Sequence, residues 1–403
     1  MGNTPNSSVL LGRVDRDDAE TPAGLEVDAN GVLSLGGTDH LLTIDPNGAG
    51  RTESCLIPVL SSYPGSVVVV DLHGEVYAAT AGRRRAMGQS VVRLDPFGVA
   101  GPDADTLNPL DLLDGLTGGA LDTACQDLAD LIVQRDSFGG DLDQSAFGLV
   151  SAVIGYLSTV PERRTFDHLY RVLHEDDVVY NLAVVLDTIG KKIPRMSYME
   201  IATFLQQEDI NRSRLLMNVS ARLSPLSILD VQASFQTSSP ALAAMRSGAP
   251  TTVYLMLPPE RLLADSVLLR VWIGTLVHML LRGPRGPALL LLDHTAELGS
   301  FPLVESLLRW RRGERVRAWT FWHDVRQLRA THPRSWPEIV SGAGVVQVLG
   351  ARDTAAAAEV AALLDQPLTD ILALGPGEQL LRAGGDTVRA RRLHTPVSSA
   401  TGR

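Results

Sequence analysis

An octapeptide, Asp45-Pro46-Asn47-Gly48-Ala49-Gly50-Arg51-Thr52, lies between a short apolar run, His40–Ile44, and an apolar segment, Thr52–Leu60. Its frame is that of G-x-x-x-x-G-K-[ST]. In such a loop, backbone N–H groups wrap the phosphates, a lysine reaches the β- and γ-oxygens, and a hydroxyl faces Mg²⁺. Two positions depart from the frame: Asp45 replaces the first glycine and Arg51 the lysine. The only lysines in the chain are Lys191 and Lys192. Drift toward arginine explains a surface residue, but at a phosphate a compact ammonium and a planar guanidinium are not interchangeable.

A loop of this kind joins a buried strand to a helix, and the flanking sequence agrees. Val67–Val70 is an apolar run ending in Asp71, as in a parallel strand covered on both faces. A helical stretch, Ala78–Gly88, and a third strand, Ser90–Asp95, follow, so strand and helix alternate as in an α/β domain. From Leu110 to about Ser220 the apolar residues recur at helical spacing, which predicts an all-α insertion. Strands return at Thr252–Leu257, Ala288–Asp293, Arg317–Trp322 and Gly344–Leu349, with a long helix at Leu262–Leu281 and a final hairpin at Leu380–Leu393. The expected divisions are an irregular lead-in (1–37) with a pair of strands around Val9–Val14 and Val32–Leu35, a nucleotide-binding domain in two parts (38–110 and 221–394), the insertion between them (111–220), and a disordered tail (395–403).

A net charge of −10 argues against a protein that coats nucleic acid over its whole surface, while leaving room for a local basic channel. Cys55 and Cys125 have no partner at metal or redox spacing, as expected in a reducing cytosolic setting. Met1–Ser8 lacks the apolar core of a signal peptide, and Ser266–Leu281 contains Arg270 and His278, so no membrane anchor is expected.

A second chemical signal is Leu289–Asp293, an apolar strand ending in an acid, the form of a strand whose carboxylate holds Mg²⁺. The following residue in hydrolysing proteins is usually a glutamate that polarises water; here it is His294, which brings no negative charge to that task.

The segment Pro64-Gly65-Ser66-Val67-Val68-Val69-Val70-Asp71-Leu72-His73-Gly74-Glu75-Val76-Tyr77 resembles the P-G-S-x-V-V-x-D-x-K-G-E-x-Y signature of the TraG/TraD family of type IV secretion coupling proteins. Thr80-Ala81-Gly82, Arg85, Gly88, Asp95-Pro96-Phe97 and Asn108-Pro109-Leu110 continue the likeness, as do Leu292-Asp293-His294 and Leu298–Ser306. The resemblance implies a RecA-like P-loop NTPase domain with a parallel central sheet, interrupted by an all-α domain. It also implies a hexameric ring at the cytoplasmic face of a secretion channel in the inner membrane, passing DNA or protein substrate to the type IV secretion machinery. The transmembrane pair of that family is not seen before the loop, so a membrane-bound partner or a truncation is expected.

Carried over position by position, the resemblance puts Asn47, Gly48, Ala49, Gly50, Arg51 and Thr52 on the phosphates of ATP, with Asp71 and Glu75 on the nucleotide side. Thr52 and Asp293 would hold Mg²⁺, and Asp293, His294, Arg312 and His323 would form the catalytic set, Arg312 as a finger acting on a neighbouring subunit. Four polar positions depart from the family pattern: Arg51, His73, His294 and His323. Groups that act as a unit fail as one, so the combination implies nucleotide binding with impaired hydrolysis.

Two other functions are compatible with the residues. One is an active ATP-driven DNA or protein translocase in which Arg51 holds the γ-phosphate and Glu297 or Glu75 orients water; the other is a soluble adaptor that binds no nucleotide. Individual residues also have plainer roles. Asp71 and Glu75 suit a strand end and a helix start. The arginines at 309, 311, 312, 315 and 317, and at 389, 391 and 392, suit either a solvated face or an anionic partner. His73, His294 and His323 lack the helical spacing of a zinc site.

Overall fold

A computed structural model describes residues 7–14, 21–46, 48, 50–135, 140–284, 286–309, 316–351 and 353–395. Among them are twelve strands: β1 (Val9–Arg13), β2 (Leu25–Val27), β3 (Val32–Leu35), β4 (His40–Ile44), β5 (Ser66–Val70), β6 (Ser90–Leu94), β7 (Thr251–Leu255), β8 (Ala288–Leu292), β9 (Val316–Trp322), β10 (Ala343–Val348), β11 (Glu378–Ala383) and β12 (Asp386–Arg391). They form one sheet in the order β2-β3-β1-β12-β11-β10-β4-β9-β8-β5-β7-β6.

From β10 through β4, β9, β8 and β5 to β7 the ladders are parallel. The composition of these strands explains that. Every residue of β4, β7, β8 and β9 is buried, so the runs are mostly apolar without alternation, as a sheet covered on both faces requires. Strands β1 to β3 and the β11/β12 hairpin pair antiparallel. The hairpin turn is Gly384-Gly385, both at positive φ, the geometry that suits the right-handed twist of paired strands.

The lead-in holds the two expected strands, as β1 and β3, and a third, β2. Val9, Leu11, Leu33 and Leu35 are buried, β1 pairs with β12, and β3 pairs with β1 and β2. Arg317, counted with an exposed basic run on sequence grounds, is buried within β9. Its Nη1 donates to the Leu35 carbonyl (3.2 Å), and its Nη2 to the Gly36 carbonyl (2.5 Å) and the Gly37 carbonyl. Arg309 pairs with Glu338. Arg311, Arg312 and Arg315 lie outside the described residues.

The chain forms two compact units: Met1–Val92, Ala244–Met256 and Leu280–Arg403 in the first, Arg93–Ala243 and Leu257–Met279 in the second. The sheet belongs to the first. The second is helical, and it is wider than the insertion expected at 111–220. At one end, Leu107 N donates to the Ser234 carbonyl (2.9 Å) and Asn108 N to Ser238 Oγ (3.0 Å). At the other, the long helix Leu262–Arg282 packs by close approach, for a Cβ on Gly274 would stand 2.2 Å from a Leu131 methyl. The segment Pro259–Arg282 is long and apolar enough to cross a membrane, but its apolar stretch is 78% buried within the protein, with Trp272, Ile273 and Leu276 fully enclosed.

Candidate functional site

The site is built in the first unit, where β4, β9, β8 and β5 are consecutive neighbours. Their parallel direction brings the residues that follow them, Asp45, His323, Asp293 and Asp71, to one edge of the sheet. The carboxyl edge of a parallel sheet is where such folds bind ligands, because loops there face the N-termini of the following helices.

The glycine loop leaves β4 with Asp45 N bonded to the Trp322 carbonyl (2.9 Å) and turns back through Gly48 N to the Asp45 carbonyl (3.1 Å). Gly48 has φ +60 and a Cβ there would meet nothing within 4 Å; Gly50 has φ +108. Both are backbone states that side chains disfavour, and both leave N–H groups uncovered by a Cβ. Asn47 and Ala49 lie outside the described residues. The segment after Arg51 opens with a wide turn, Thr52–Leu56, in which Ile57 N bonds to Thr52 O five residues back. The widening lets the chain run on through Pro58 to Leu60, since a proline ring clashes with the carbonyl four residues earlier in a regular helix.

Asp45, in the place of a glycine, is fully buried. Burial lowers the pKa of Arg392, and the Asp45 charge acts against that lowering, so a cation from the end of β12 offsets the extra anion. Sequence reading grouped Arg392 with surface arginines; no local pattern marks it as the residue that accommodates Asp45.

Arg51 is turned across the site. Its Nε lies 2.7 Å from Asp293 Oδ1, and its Nη2 donates to His294 Nε2 at 3.2 Å. Because a guanidinium only donates, Nε2 must be the unprotonated nitrogen, and His294 is neutral. Its pKa is lowered first by burial and then by the Arg51 charge, against the raising effect of Asp293. His294 sits at φ +53, and its own N–H bonds to Asp293 Oδ1 at 2.8 Å. His73 is exposed, and both His73 and Glu297 act electrostatically on His294.

Asp71 and Glu75 have different surroundings. Asp71 is 3% exposed, and its Oδ2 accepts from Tyr77 N (2.7 Å) at the start of the helix Glu75–Ala86. Burial pushes its pKa up to about 6 in spite of hydrogen bonds from Tyr77, Val76 and Gly74. Glu75 is exposed in the first turn of that helix. His323 is also exposed. Its backbone N–H donates to Gln327 Oε1 (2.8 Å), and it does not join the Arg51–Asp293–His294 group. Arg312 is outside the described residues. Among the described residues no three or more His, Cys, Asp or Glu side chains are grouped to hold a metal ion, so the three histidines do not form a zinc site.

The model for the family described as Type IV secretory system Conjugative DNA transfer matches residues 6–360. The chain belongs to that family. Relatives in this conjugative DNA-transfer family include the conjugal transfer protein TraG of Escherichia coli, 25% identical over 374 residues, which are 82% of this chain and 56% of TraG. Protein VirD4 of Rhizobium radiobacter is 34% identical over 65 residues, 16% of this chain and 9% of VirD4. The chain thus spans little more than half the length of TraG. Among solved structures, the plasmid coupling protein TrwB in complex with ADP and Mg²⁺ superposes with a TM-score of 0.70 at 14% identity, covering 99% of this chain and 98% of TrwB. VirB4 of Thermoanaerobacter pseudethanolicus gives 0.58 at 14% identity, covering 98% and 99%. At these identities the structural likeness establishes the fold, a RecA-like P-loop NTPase fold.

The geometry at this edge suits phosphate better than metal. Gly48 and Gly50 hold the open backbone turn a phosphate needs. Asp293, expected with Thr52 to hold Mg²⁺, already accepts the Arg51 guanidinium and the His294 N–H on one oxygen. A divalent ion on Asp293 would share that carboxylate with the Arg51 guanidinium.

Proposed function

We propose that this chain is the RecA-type subunit of a conjugative coupling protein, assembled as a homo-oligomeric ring, that binds nucleotide and has lost its hydrolysis. It would stand in the cytoplasm at the inner membrane, held there through membrane-bound partners. Its task would be to receive DNA or protein substrate and hand it to the type IV secretion channel.

The observation that carries this reading is the Arg51–Asp293–His294 group. In the phosphate role, Gly48, its N–H bonded to the Asp45 carbonyl, shapes the turn, Gly50 brings backbone N–H groups to the anion, and the following helix start favours anions. The turnover role needs an anionic group beside the attacking water, and His294 is neutral and already accepts a hydrogen bond from Arg51. The Asp293 carboxylate, which would otherwise carry the metal, is neutralised from within the protein.

The deciding measurement is ATP turnover by the purified full chain, with and without DNA, beside Asp293→Ala. The expected rate matches that of the variant, while ADP raises the melting temperature, as a ligand selective for the native state must. Steady turnover that Asp293→Ala abolishes would sink the loss of hydrolysis; no thermal shift with any nucleotide would leave the adaptor function.

A further inference from the structure

We infer that Arg51 stands in for the divalent cation of this pocket, so that the site takes a nucleoside phosphate free of metal. The inference rests on the nucleotide-binding reading above. It concerns how the phosphate charge is met, which that reading leaves open.

Asp293 is 9% exposed and its Oδ1 receives two donors, Arg51 Nε at 2.7 Å and His294 N at 2.8 Å. Its Oδ2 lies 3.8 Å from His294 Nε2. Magnesium demands near-octahedral oxygen coordination at about 2.0–2.1 Å. An ion at that distance from Asp293 would share the carboxylate with a guanidinium that cannot lose its charge, so the two cations compete for one anion.

Arg51 is placed to act as well as to block. It immediately follows Gly50 and precedes the first turn at Thr52, the position from which the family lysine would reach phosphate. Its Nε and Nη2 are committed to Asp293 and His294, and its Nη1 hydrogens make no bond to the described residues. Held on one side by a carboxylate, a guanidinium keeps its orientation and offers its remaining donors to a second oxyanion, a geometry that a lysine ammonium lacks.

Charge counting gives a consequence. A pocket with lysine, Mg²⁺ and aspartate carries a net positive charge, whereas Arg51 with Asp293 sums to zero. Backbone N–H groups of the glycine loop from Gly50 onward, Gly48 N being bonded to the Asp45 carbonyl, must therefore supply most of the attraction, and the affinity should be modest and indifferent to metal.

The test is calorimetric titration of ADP into the full chain in EDTA and in excess Mg²⁺, repeated on Arg51→Lys, with folding checked by circular dichroism. For the wild type the two dissociation constants should agree within about threefold, and for Arg51→Lys the Mg²⁺ value should be at least about tenfold tighter. A wild-type affinity that rises tenfold or more with Mg²⁺, about 1.4 kcal/mol, overturns the inference alone. So does an Arg51→Lys protein that stays indifferent to metal. No binding in either buffer overturns the nucleotide reading together with this inference.

Discussion

Arg392 Nη1 lies 3.3 Å from the point where a Cβ on Gly50 would stand, so the end of β12 packs against the phosphate loop across a glycine. The same guanidinium donates from Nε to the Glu378 carbonyl (2.9 Å) and from Nη2 to the Leu349 carbonyl, and it is the charge that offsets buried Asp45. Gly50→Ala should cost about 1–3 kcal/mol, because φ +108 disfavours any side chain and Arg392 must move. Arg392→Ala should cost about 2–4 kcal/mol through the carbonyls and carboxylate it leaves behind. Urea unfolding measures both, with exposed Arg391→Ala as a control expected within about 0.5 kcal/mol of wild type.

Arg84 is fully buried and bonded to neutral acceptors: Thr252 Oγ1 from Nε (2.6 Å), Leu60 and Tyr63 carbonyls from Nη1 (3.1 and 2.5 Å), Gly65 carbonyl and Gln89 Oε1 from Nη2 (2.8 and 2.5 Å). Desolvation lowers its pKa to about 10, so it stays charged at neutral pH. It ties the turn before β5 to β7 and to the helix Glu75–Ala86. A lysine cannot span this fork, and Arg84→Lys should lose about 2–4 kcal/mol in chemical denaturation, Arg84→Ala more. A loss below 1 kcal/mol, roughly the effect of a surface change, would show that these carbonyls find other donors.

Asp71 makes stability depend on pH in an unusual direction. Its folded pKa of about 6 exceeds the ordinary aspartate value of 3.8, so between those values the folded chain holds a proton that the unfolded chain has released. Stability from this group is therefore greatest below the lower value, falls as pH rises through the window, and is constant above it, by about 3 kcal/mol in all. Asp71→Asn should remove that slope and be the more stable protein at pH 7, while one oxygen still accepts from Tyr77 N. Denaturation curves at pH 4, 5, 6 and 7 compare the two; parallel profiles would refute the assignment.

Restoring hydrolysis should need two changes together. Arg51→Lys releases Asp293, and His294→Glu supplies the anion for water, but each alone leaves the other defect. The double variant should turn over ATP at least about tenfold faster than either single variant, since groups that act as a unit are not additive. Phosphate release with Mg²⁺ present measures it, and equal rates for all three proteins would place the lost activity elsewhere.

The parallel strands were legible because β4, β5 and β8 are largely apolar runs followed by acids. Of the N-terminal strands β1 and β3 were legible as short apolar runs, but β2, three residues long, was not, nor was the pairing of β1 with β12, which joins Arg13 to Arg391 from opposite ends of the chain. Arg317 and Arg84 look like surface cations in a list of residues. Only packing shows that carbonyls at chain turns, rather than solvent or an anionic partner, take up their hydrogens.

The sequence by itself determined a strand, a glycine turn and a helix in that order, with an aspartate-ended strand to meet them, because hydrophobic patterning and backbone permissiveness are local properties. It also showed that Arg51 and His294 replace the usual residues. Whether those replacements are independent was decided only by the tertiary structure, which places Arg51 on both Asp293 and His294. The physical reason is distance: an ion pair depends on a few ångströms in space, and these partners are separated in sequence by four strands and the helical unit.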